Sequence, residues 1–289
     1  MSAAPLRDRR IVIGADEFHY LEAGEGSALL FLHGAPGDRH VWAPHLRLLA
    51  GRYRCLAYTQ RWFGDAVWRA DGPDFSTATH ACDLIRFVEA LALTPVALVA
   101  WSYSGHVAFE AVLARPDLFA RLLIYEPGVA SFVTDPDELA DYLRDVEALI
   151  GPVQAAAAAG DGALALRRLQ EGLALPGASP AAERSPAPKV LLSLLSGEGP
   201  PPTPVPATAL AAVKVPVSIA WGSLSRPAFT IPARAAARLL VTGAHRQIEG
   251  AGHGWPRERP AQFCALVQSW SAAGAGAGPG SGGDAVAPA

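Results

Sequence analysis

The chain has 289 residues, of which 51% are hydrophobic and 18% are charged, and its formal net charge is −3. This length suits one large α/β domain with an insertion, because such domains often reach about 250 residues. The nearly neutral charge argues against nucleic acid or an anionic membrane surface as a partner, since both favour basic patches.

The first half of the chain alternates between predicted strands and predicted helices. Continuous apolar runs that end at glycine, proline or polar residues indicate strands buried on both faces of a sheet. An opening hairpin is predicted at residues 10–13 and 18–22, and core strands are predicted at 28–32, 53–58, 96–101 and 122–125. Helices are predicted at 40–49, 77–92 and 105–114. This alternation favours a mostly parallel central sheet with helices on both faces.

The middle of the chain shows no convincing strand. Helices are predicted at residues 136–150, 152–175 and 186–195, and the α/β pattern resumes with strands at 215–221 and 245–249 and helices at 231–240 and 256–270. We therefore expect an α/β core formed by residues 1–127 and 213–271, with residues 128–212 inserted as a helical unit. The Gly/Ala/Ser/Pro composition of residues 272–289 predicts a disordered tail.

The most informative stretch surrounds Ser102. A predicted buried strand leads into Ala100-Trp101-Ser102-Tyr103-Ser104, and a predicted helix follows at once. This context is typical of the nucleophile elbow, written G-x-S-x-G, although alanine and serine replace its two glycines. The start of the helix would direct unpaired N–H groups towards charge developing near Ser102. The alternative is an ordinary serine that caps the helix.

Five motifs occur in order, each at a predicted strand end: LLFLHGAPG at residues 29–37, YTQRWFG at 58–64, the stretch around Ser102, YEP at 125–127 and GAGHG at 250–254. Over residues 11–270 the chain resembles the α/β-hydrolase-fold proteins. Within them it is similar to the capped hydrolases that include epoxide hydrolases and haloalkane dehalogenases. The resemblance implies that the helical insertion is a cap domain.

The resemblance also implies an oxyanion hole, a pair of backbone N–H groups that stabilise a negatively charged oxygen. Ala35, in the turn after the first core strand, would supply one N–H group, and Tyr103, directly after Ser102, would supply the other. The alternative for residues 33–37 is a plain turn.

His253 is the candidate base, because it lies in a glycine-rich loop between the last strand and the last helix. Most relatives carry an Asp after the strand predicted here at 215–221, but residues 199–248 contain no Asp or Glu. Glu126, at the end of strand 122–125, is the candidate acid, and some haloalkane-dehalogenase-like proteins place their acid there. Two alternatives stay open: Glu126 is structural, or Ser102 and His253 act as a dyad.

A serine nucleophile excludes the chemistry of the most similar families. Epoxide hydrolases and haloalkane dehalogenases attack carbon with Asp, because the resulting ester can be hydrolysed, whereas serine would leave an ether. Serine suits acyl transfer. We expect a cofactor-free serine hydrolase that acts on a small, largely apolar ester, lactone or thioester through an acyl-enzyme. The alternatives are a lyase or cyclase on the same Ser–His frame, or a non-catalytic ligand-binding relative.

The remaining expectations concern the pocket and the surroundings of the protein. Trp101, Trp255 and Arg226 are candidate pocket residues, and Arg226 would meet an anionic substrate or Glu126, or else lie at the surface. The three cysteines fit neither a disulfide framework nor a metal site. No metal and no membrane partner are expected, and a missing secretion signal predicts a cytoplasmic protein. The sequence leaves the oligomeric state open.

Overall fold

The structure, a computed structural model, describes residues 5–64, 75–174 and 203–273. Its centre is an eight-stranded sheet in the order β1-β2-β4-β3-β5-β6-β7-β8. The strands β1 and β2 form the predicted antiparallel hairpin, β2 pairs antiparallel with β4, and all other pairs are parallel. The strands are β1 (Arg7–Ile13), β2 (Asp16–Ala23), β3 (Ala28–Leu32), β4 (Arg54–Tyr58), β5 (Val96–Trp101), β6 (Phe119–Tyr125), β7 (Val217–Gly222) and β8 (Arg246–Ile248). The predicted, mostly parallel sheet is confirmed.

Helices cover both faces of this sheet, as predicted. They are α1 (Ala43–Leu49), α2 (Thr77–Ala90), α3 (Tyr103–Ala114), α4 (Pro136–Ala158), α5 (Gly162–Leu173), α6 (Ala207–Ala211), α7 (Pro227–Leu239), α8 (Trp255–Glu258) and α9 (Pro260–Ala273). Side chains of α2, α3 and α7 join the core cluster on one face, and side chains of α1 and α9 join the cluster on the other. In the part of the chain that the structure describes, no helix is long and apolar enough to cross a membrane.

The continuous apolar run of β3 follows from this two-sided burial. Leu30 and Leu32 belong to the core cluster on one face, while Leu29 and Phe31 belong to the cluster on the other. All four side chains are fully buried. Successive side chains of a strand point to opposite faces, so a strand in the middle of a covered sheet needs apolar residues at every position.

The insertion differs from the predicted pattern at Pro152. The sequence predicts a helix boundary there, but α4 continues through Pro152 to Ala158. A proline inside a helix removes one backbone hydrogen bond. Here Val153 and Ala156, just after the proline, are buried against Ala165 and Leu169 of α5, so packing between the helices holds the last turns in place. Within residues 128–174 and 203–212, no segment joins the sheet, and the predicted helix at 186–195 lies outside the described residues.

A buried ion cluster joins the hairpin to the body of the domain. Arg61, which is fully buried after β4, donates to Asp83 of α2 over 2.7 and 2.9 Å and to Asp16 of β2 over 3.0 and 2.8 Å. Hydrogen bonding from Arg61 lowers the pKa of Asp16, whereas burial raises the pKa of Asp83. Removal of the guanidinium would leave Asp83 as a buried carboxylate with too few donors.

Among the fully buried histidines of the described residues, burial strongly lowers the pKa of three, namely His33, His45 and His80. Burial lowers the pKa of His33 and His45 to about 4 and that of His80 to about 3. His80 donates its Nε2–H to the Arg61 carbonyl oxygen over 2.9 Å and accepts the Tyr103 hydroxyl at Nδ1 over 2.7 Å. All three rings are therefore neutral in the folded protein at neutral pH.

Arg61→Leu is expected to lower the free energy of unfolding by about 3–5 kcal/mol, because it removes the main hydrogen-bond donor of the buried Asp83 carboxylate. Arg115→Leu is the matched control, since Arg115 pairs with Glu89 and Asp117 at the surface, and such pairs contribute at most about 1 kcal/mol. Urea denaturation at pH 7 measures both values. Equal losses of unfolding free energy in the two variants would show that the buried cluster stabilises the fold no more than a surface ion pair does.

The buried histidines predict that stability falls as the pH drops from 6.5 towards 4. In that range the unfolded chain, with histidine pKa values near 6.5, binds protons that the folded chain does not. Each histidine contributes a slope of up to about 1.4 kcal/mol per pH unit. His80→Gln supplies one donor and one acceptor but does not titrate, so the free energy of unfolding of this variant should depend less on pH. The exposed His40→Gln is the control, and urea midpoints between pH 7 and 4.5 are the measurement.

Candidate active site

Ser102 is the single residue between the end of β5 and the start of α3. Its backbone has φ 60° and ψ −120°, a conformation that residues other than glycine rarely adopt. The Ser102 N–H donates to the Tyr125 carbonyl over 3.0 Å, and its own carbonyl accepts the Gly105 N–H over 2.8 Å. The strained turn is therefore fixed by the neighbouring strand β6 and by the first turn of α3.

Two glycines give this turn the space that it needs. A β-carbon at Gly105 would lie 2.8 Å from Ile124 Cγ2 and 2.9 Å from Pro127 Cα. A β-carbon at Gly34 would lie 3.0 Å from the β-carbon of Ser102. At Gly105 the chain keeps its glycine one residue after the usual motif position, because this is where α3 approaches the end of β6.

Ser102, His253 and Glu126 are joined by hydrogen bonds. His253 Nε2 lies 3.0 Å from Ser102 Oγ, and His253 Nδ1 lies 2.6 Å from Glu126 Oε2. Glu126 is fully buried, and its other oxygen, Oε1, accepts the Gly222 N–H over 2.7 Å and the Ser225 hydroxyl over 2.5 Å. This geometry suits the predicted roles of Ser102 as nucleophile, His253 as base and Glu126 as acid.

The loop after β7 contributes hydrogen-bond donors where relatives carry an acid. Ser225 occupies this loop and points its hydroxyl at Glu126. Glu126 follows directly after β6 with a left-handed φ of 51°, and its N–H donates to the Ala220 carbonyl over 3.0 Å. The structure therefore brings the predicted acid to the predicted base from the strand next to the usual one.

Of the two predicted oxyanion donors, Tyr103 follows Ser102 directly, and Ala35 follows Gly34, which lies next to Ser102. Tyr103 is the first residue of α3, so its N–H has no acceptor within the helix. Ala35 lies in a turn closed by the Gly37 N–H and the Gly34 carbonyl over 2.8 Å. A β-carbon at Gly128 would lie 3.7 Å from Tyr103 N and 3.8 Å from Ser102 Oγ, so Gly128 borders the same space.

Buried polar side chains hold this turn, and sequence reasoning did not assign them that role. The His33 carbonyl accepts the Ser104 hydroxyl and, over 2.9 Å, the Gln60 side-chain amide. His33 Nε2 accepts the Gln60 N–H over 3.0 Å, so its Nδ1 carries the proton and donates to the Gly34 carbonyl over 3.0 Å. The hydrogen bond of Ser104 thus gives a structural reason for a serine at this motif position, where glycine is usual. The signal for Gln60 was its place in the motif at residues 58–64.

The structure gives contacts for the three candidate pocket residues, and their contact with a substrate stays a prediction. Trp101 donates its indole N–H to the His253 carbonyl over 3.0 Å and is buried. Trp255 packs in the core, with ring centroids 5.6 Å from Tyr125 and 5.5 Å from Phe263. Aromatic residues next to motifs are common in cores, and these two side chains pack beneath the loop that carries His253.

Arg226 does not contact Glu126. Its guanidinium donates to both carboxylate oxygens of Asp145 on α4 over 2.8 Å each, and to the Gly172 carbonyl on α5 over 3.0 Å. The inserted helices satisfy its charge, which the sequence pattern gave no means to foresee.

Phe229 is a residue at the site that sequence reasoning missed. Its ring stacks on the His253 imidazole, with centroids 3.6 Å apart and planes 13° from parallel. It lies on α7, which begins four residues earlier than predicted, so the sequence pattern placed Phe229 in a loop. Among the described residues, no group of three or more His, Cys, Asp or Glu side chains could hold a metal ion.

The chain is similar to known proteins that are named for several different hydrolytic activities. The chain is 30% identical over 115 residues to an epoxide hydrolase of Caballeronia sordidicola, and 30% identical over 121 residues to a putative carbamate hydrolase, RutD, of Caulobacter vibrioides. These matches cover 39% and 40% of this chain, and only 35% and 45% of the length of the two relatives. The crystal structure of carboxylesterase CesB from Bacillus subtilis matches with a TM-score of 0.71 at 16% identity, over 93% of this chain and 92% of that one.

The structural match to CesB extends the likeness to the whole fold. A model of the alpha/beta hydrolase family matches residues 29–266, which include all but the first residue of β3, the strands β4 to β8 and the residues Ser102, Glu126 and His253. The family expected from the five motifs is therefore confirmed: this chain belongs to the alpha/beta hydrolase family.

Proposed function

We propose that this protein is a serine hydrolase that cleaves small, largely apolar acyl substrates, namely esters, lactones or thioesters, through an acyl-enzyme. The observation that carries the proposal is the continuous hydrogen-bonded series from Ser102 Oγ through His253 to the buried Glu126. Relatives named as epoxide, carbamate and carboxylic-ester hydrolases support hydrolysis as the general activity.

The first half-reaction forms a bond between Ser102 Oγ and the substrate carbonyl carbon. His253 Nε2 accepts the hydroxyl proton as the bond forms. The N–H groups of Ala35 and Tyr103 donate to the carbonyl oxygen, which carries the negative charge of the tetrahedral intermediate. The carbonyl then re-forms, and the alcohol or thiol leaves with the proton from His253.

The second half-reaction uses a water molecule in place of Ser102. His253 removes a proton from the water as it attacks the acyl carbon, and the proton returns to Ser102 Oγ when the carboxylic acid leaves. Glu126 accepts the Nδ1–H throughout. It therefore keeps Nε2 free as the base and stabilises the imidazolium that forms in both half-reactions.

The nucleophile supports acyl transfer over the chemistry of the epoxide hydrolase relative. An ether formed on Ser102 by attack on an epoxide has no carbonyl for water to attack, so the enzyme would be consumed. The proposal treats the helices α4 and α5 as a cap. They contribute no strand to the sheet, and Asp145 of α4 binds Arg226 at the start of α7. A cytoplasmic location stays a prediction.

Ser102→Ala is expected to abolish labelling by a fluorophosphonate probe and to lower kcat/KM for p-nitrophenyl butyrate by about 10⁴–10⁶-fold. Thermal denaturation should show an intact fold. Ser269→Ala, on α9, is the control and should be labelled like the wild type.

Mass spectrometry of rapidly quenched reactions should also find an acyl group on the peptide that contains Ser102. Labelling of another serine in the Ser102→Ala variant would overturn the assignment of the nucleophile. Turnover without any acyl adduct would instead favour a lyase or cyclase that uses Ser102 and His253 only to move protons.

Glu126→Gln is expected to lower kcat by about 100-fold or more with little loss of stability, because an amide cannot stabilise the imidazolium. Glu249→Gln, an exposed change near the His253 loop, is the matched control. Ser225→Asp in the Glu126→Gln background should restore part of the rate, since Ser225 Oγ lies 2.5 Å from the Glu126 carboxylate. A Glu126→Gln enzyme with normal kcat would mean that Ser102 and His253 act as a dyad.

A further inference from the structure

One short segment of chain contacts both the acid and the base of the site. We call residues 225–229, which lead from the loop after β7 into α7, the coupling segment. At its start, the Ser225 hydroxyl donates to Glu126 Oε1 over 2.5 Å. At its end, the Phe229 ring lies parallel to the His253 imidazole at a centroid distance of 3.6 Å. Any shift of this segment therefore changes the environment of two of the three triad residues.

The middle of the coupling segment is bound to α4. Arg226 Nε and Nη2 each donate to a different oxygen of Asp145 over 2.8 Å, and the Ala228 N–H donates to Asp145 over 2.8 Å. This is a bidentate ion pair in which the carboxylate also caps the first turn of α7. The side chains of Ala228 and Phe229 pack against Leu149, one turn further along α4.

The same arginine also reaches α5. Arg226 Nη1 donates to the Gly172 carbonyl over 3.0 Å. A β-carbon at Gly172 would lie 2.5 Å from Leu149 Cδ1 and 3.7 Å from Arg226 Nη1, so the glycine lets α4, α5 and the arginine meet. Arg226 therefore makes all of these hydrogen bonds only when α4 and α5 are packed together.

Phe229 affects His253 in two ways. A ring stacked on the imidazole blocks rotation of the side chain, and its π-electrons attract the positive charge that the imidazole gains during catalysis. The imidazole must stay aligned with Ser102 to within a fraction of an ångström, because misplacement by about 1 Å can cost about 100-fold in rate.

We propose that the coupling segment links docking of the α4–α5 unit to alignment of the triad, and that Phe229 is the positioning residue for His253. This inference rests on the proposed serine-hydrolase function. When α4 and α5 dock over a bound acyl substrate, Asp145 and Gly172 hold Arg226, and Phe229 is pressed onto His253. When they move away to admit substrate, Arg226 loses its partners and the triad loses this support.

The test compares Arg226→Gln and Phe229→Leu with two matched controls. Arg238→Gln removes another ion pair between α7 and α4, since Arg238 pairs with Glu138, and Phe132→Leu removes a buried ring that packs on Phe109. Asp145→Asn is a milder second way to release Arg226 if Arg226→Gln fails to fold. Each variant is assayed for the rate of fluorophosphonate labelling at Ser102, for kcat and KM with p-nitrophenyl butyrate, and for melting temperature.

We expect Arg226→Gln, Asp145→Asn and Phe229→Leu to lower the labelling rate and kcat by about tenfold, with KM within about twofold, because the loss is of the size of one aromatic or charged contact. Phe229→Tyr keeps the stacked ring and should restore the rate. The Arg226→Gln/Phe229→Leu double variant should lose little more than either single variant, whereas Arg238→Gln and Phe132→Leu should label like the wild type.

Two results overturn the proposal in different ways. If the wild type is labelled at Ser102 and the Phe229→Leu and Asp145→Asn variants are labelled equally fast, the coupling is wrong while the proposed hydrolase function stands. If the wild type itself is not labelled at Ser102, the proposed function fails and the coupling falls with it.

Discussion

The carboxylate of Glu126 is fully buried, and a buried charge is tolerated only when donors surround it. Its donors come from three parts of the chain: the ring of His253 in the loop after β8, the N–H of Gly222 at the end of β7, and the hydroxyl of Ser225. Their alignment fixes how β6, β7 and the His253 loop lie relative to one another. The same carboxylate orients the imidazole, because it holds His253 Nδ1 while Nε2 lies 3.0 Å from Ser102 Oγ.

The backbone around the site is strained, and the parallel sheet sustains that strain. Ser102 and Glu126 both have left-handed φ values, 60° and 51°, and both follow directly after a core strand. The Ser102 N–H is bonded to the Tyr125 carbonyl of β6, and the Glu126 N–H is bonded to the Ala220 carbonyl of β7. Each strand thus stabilises the turn that leaves the strand beside it, and the strained residues direct their side chains to the same edge of the sheet.

A second layer of buried polar groups supports the site from the side of β3 and β4. Gln60, Ser104 and His33 bond to one another around the turn that carries Ala35. His80 fixes the side chain of Tyr103 and bonds to the backbone of Arg61. Because these groups are neutral or fully paired, they hold the two predicted oxyanion donors without adding a competing charge next to Ser102.

The sequence by itself determined the sheet and the family, and it predicted Ser102, His253 and Glu126 as the candidate triad that the structure brings within hydrogen-bond distance. Apolar runs of strand length, the small residues around Ser102 and the lack of any carboxylate in residues 199–248 are local signals, and each has a direct local cause. The continuity of α4 through Pro152, the stacking of Phe229 on His253 and the pairing of Arg226 with Asp145 were decided by the tertiary structure. Each depends on a partner distant in the chain, and neither periodicity nor motif spacing identifies a partner that only folding brings within contact distance.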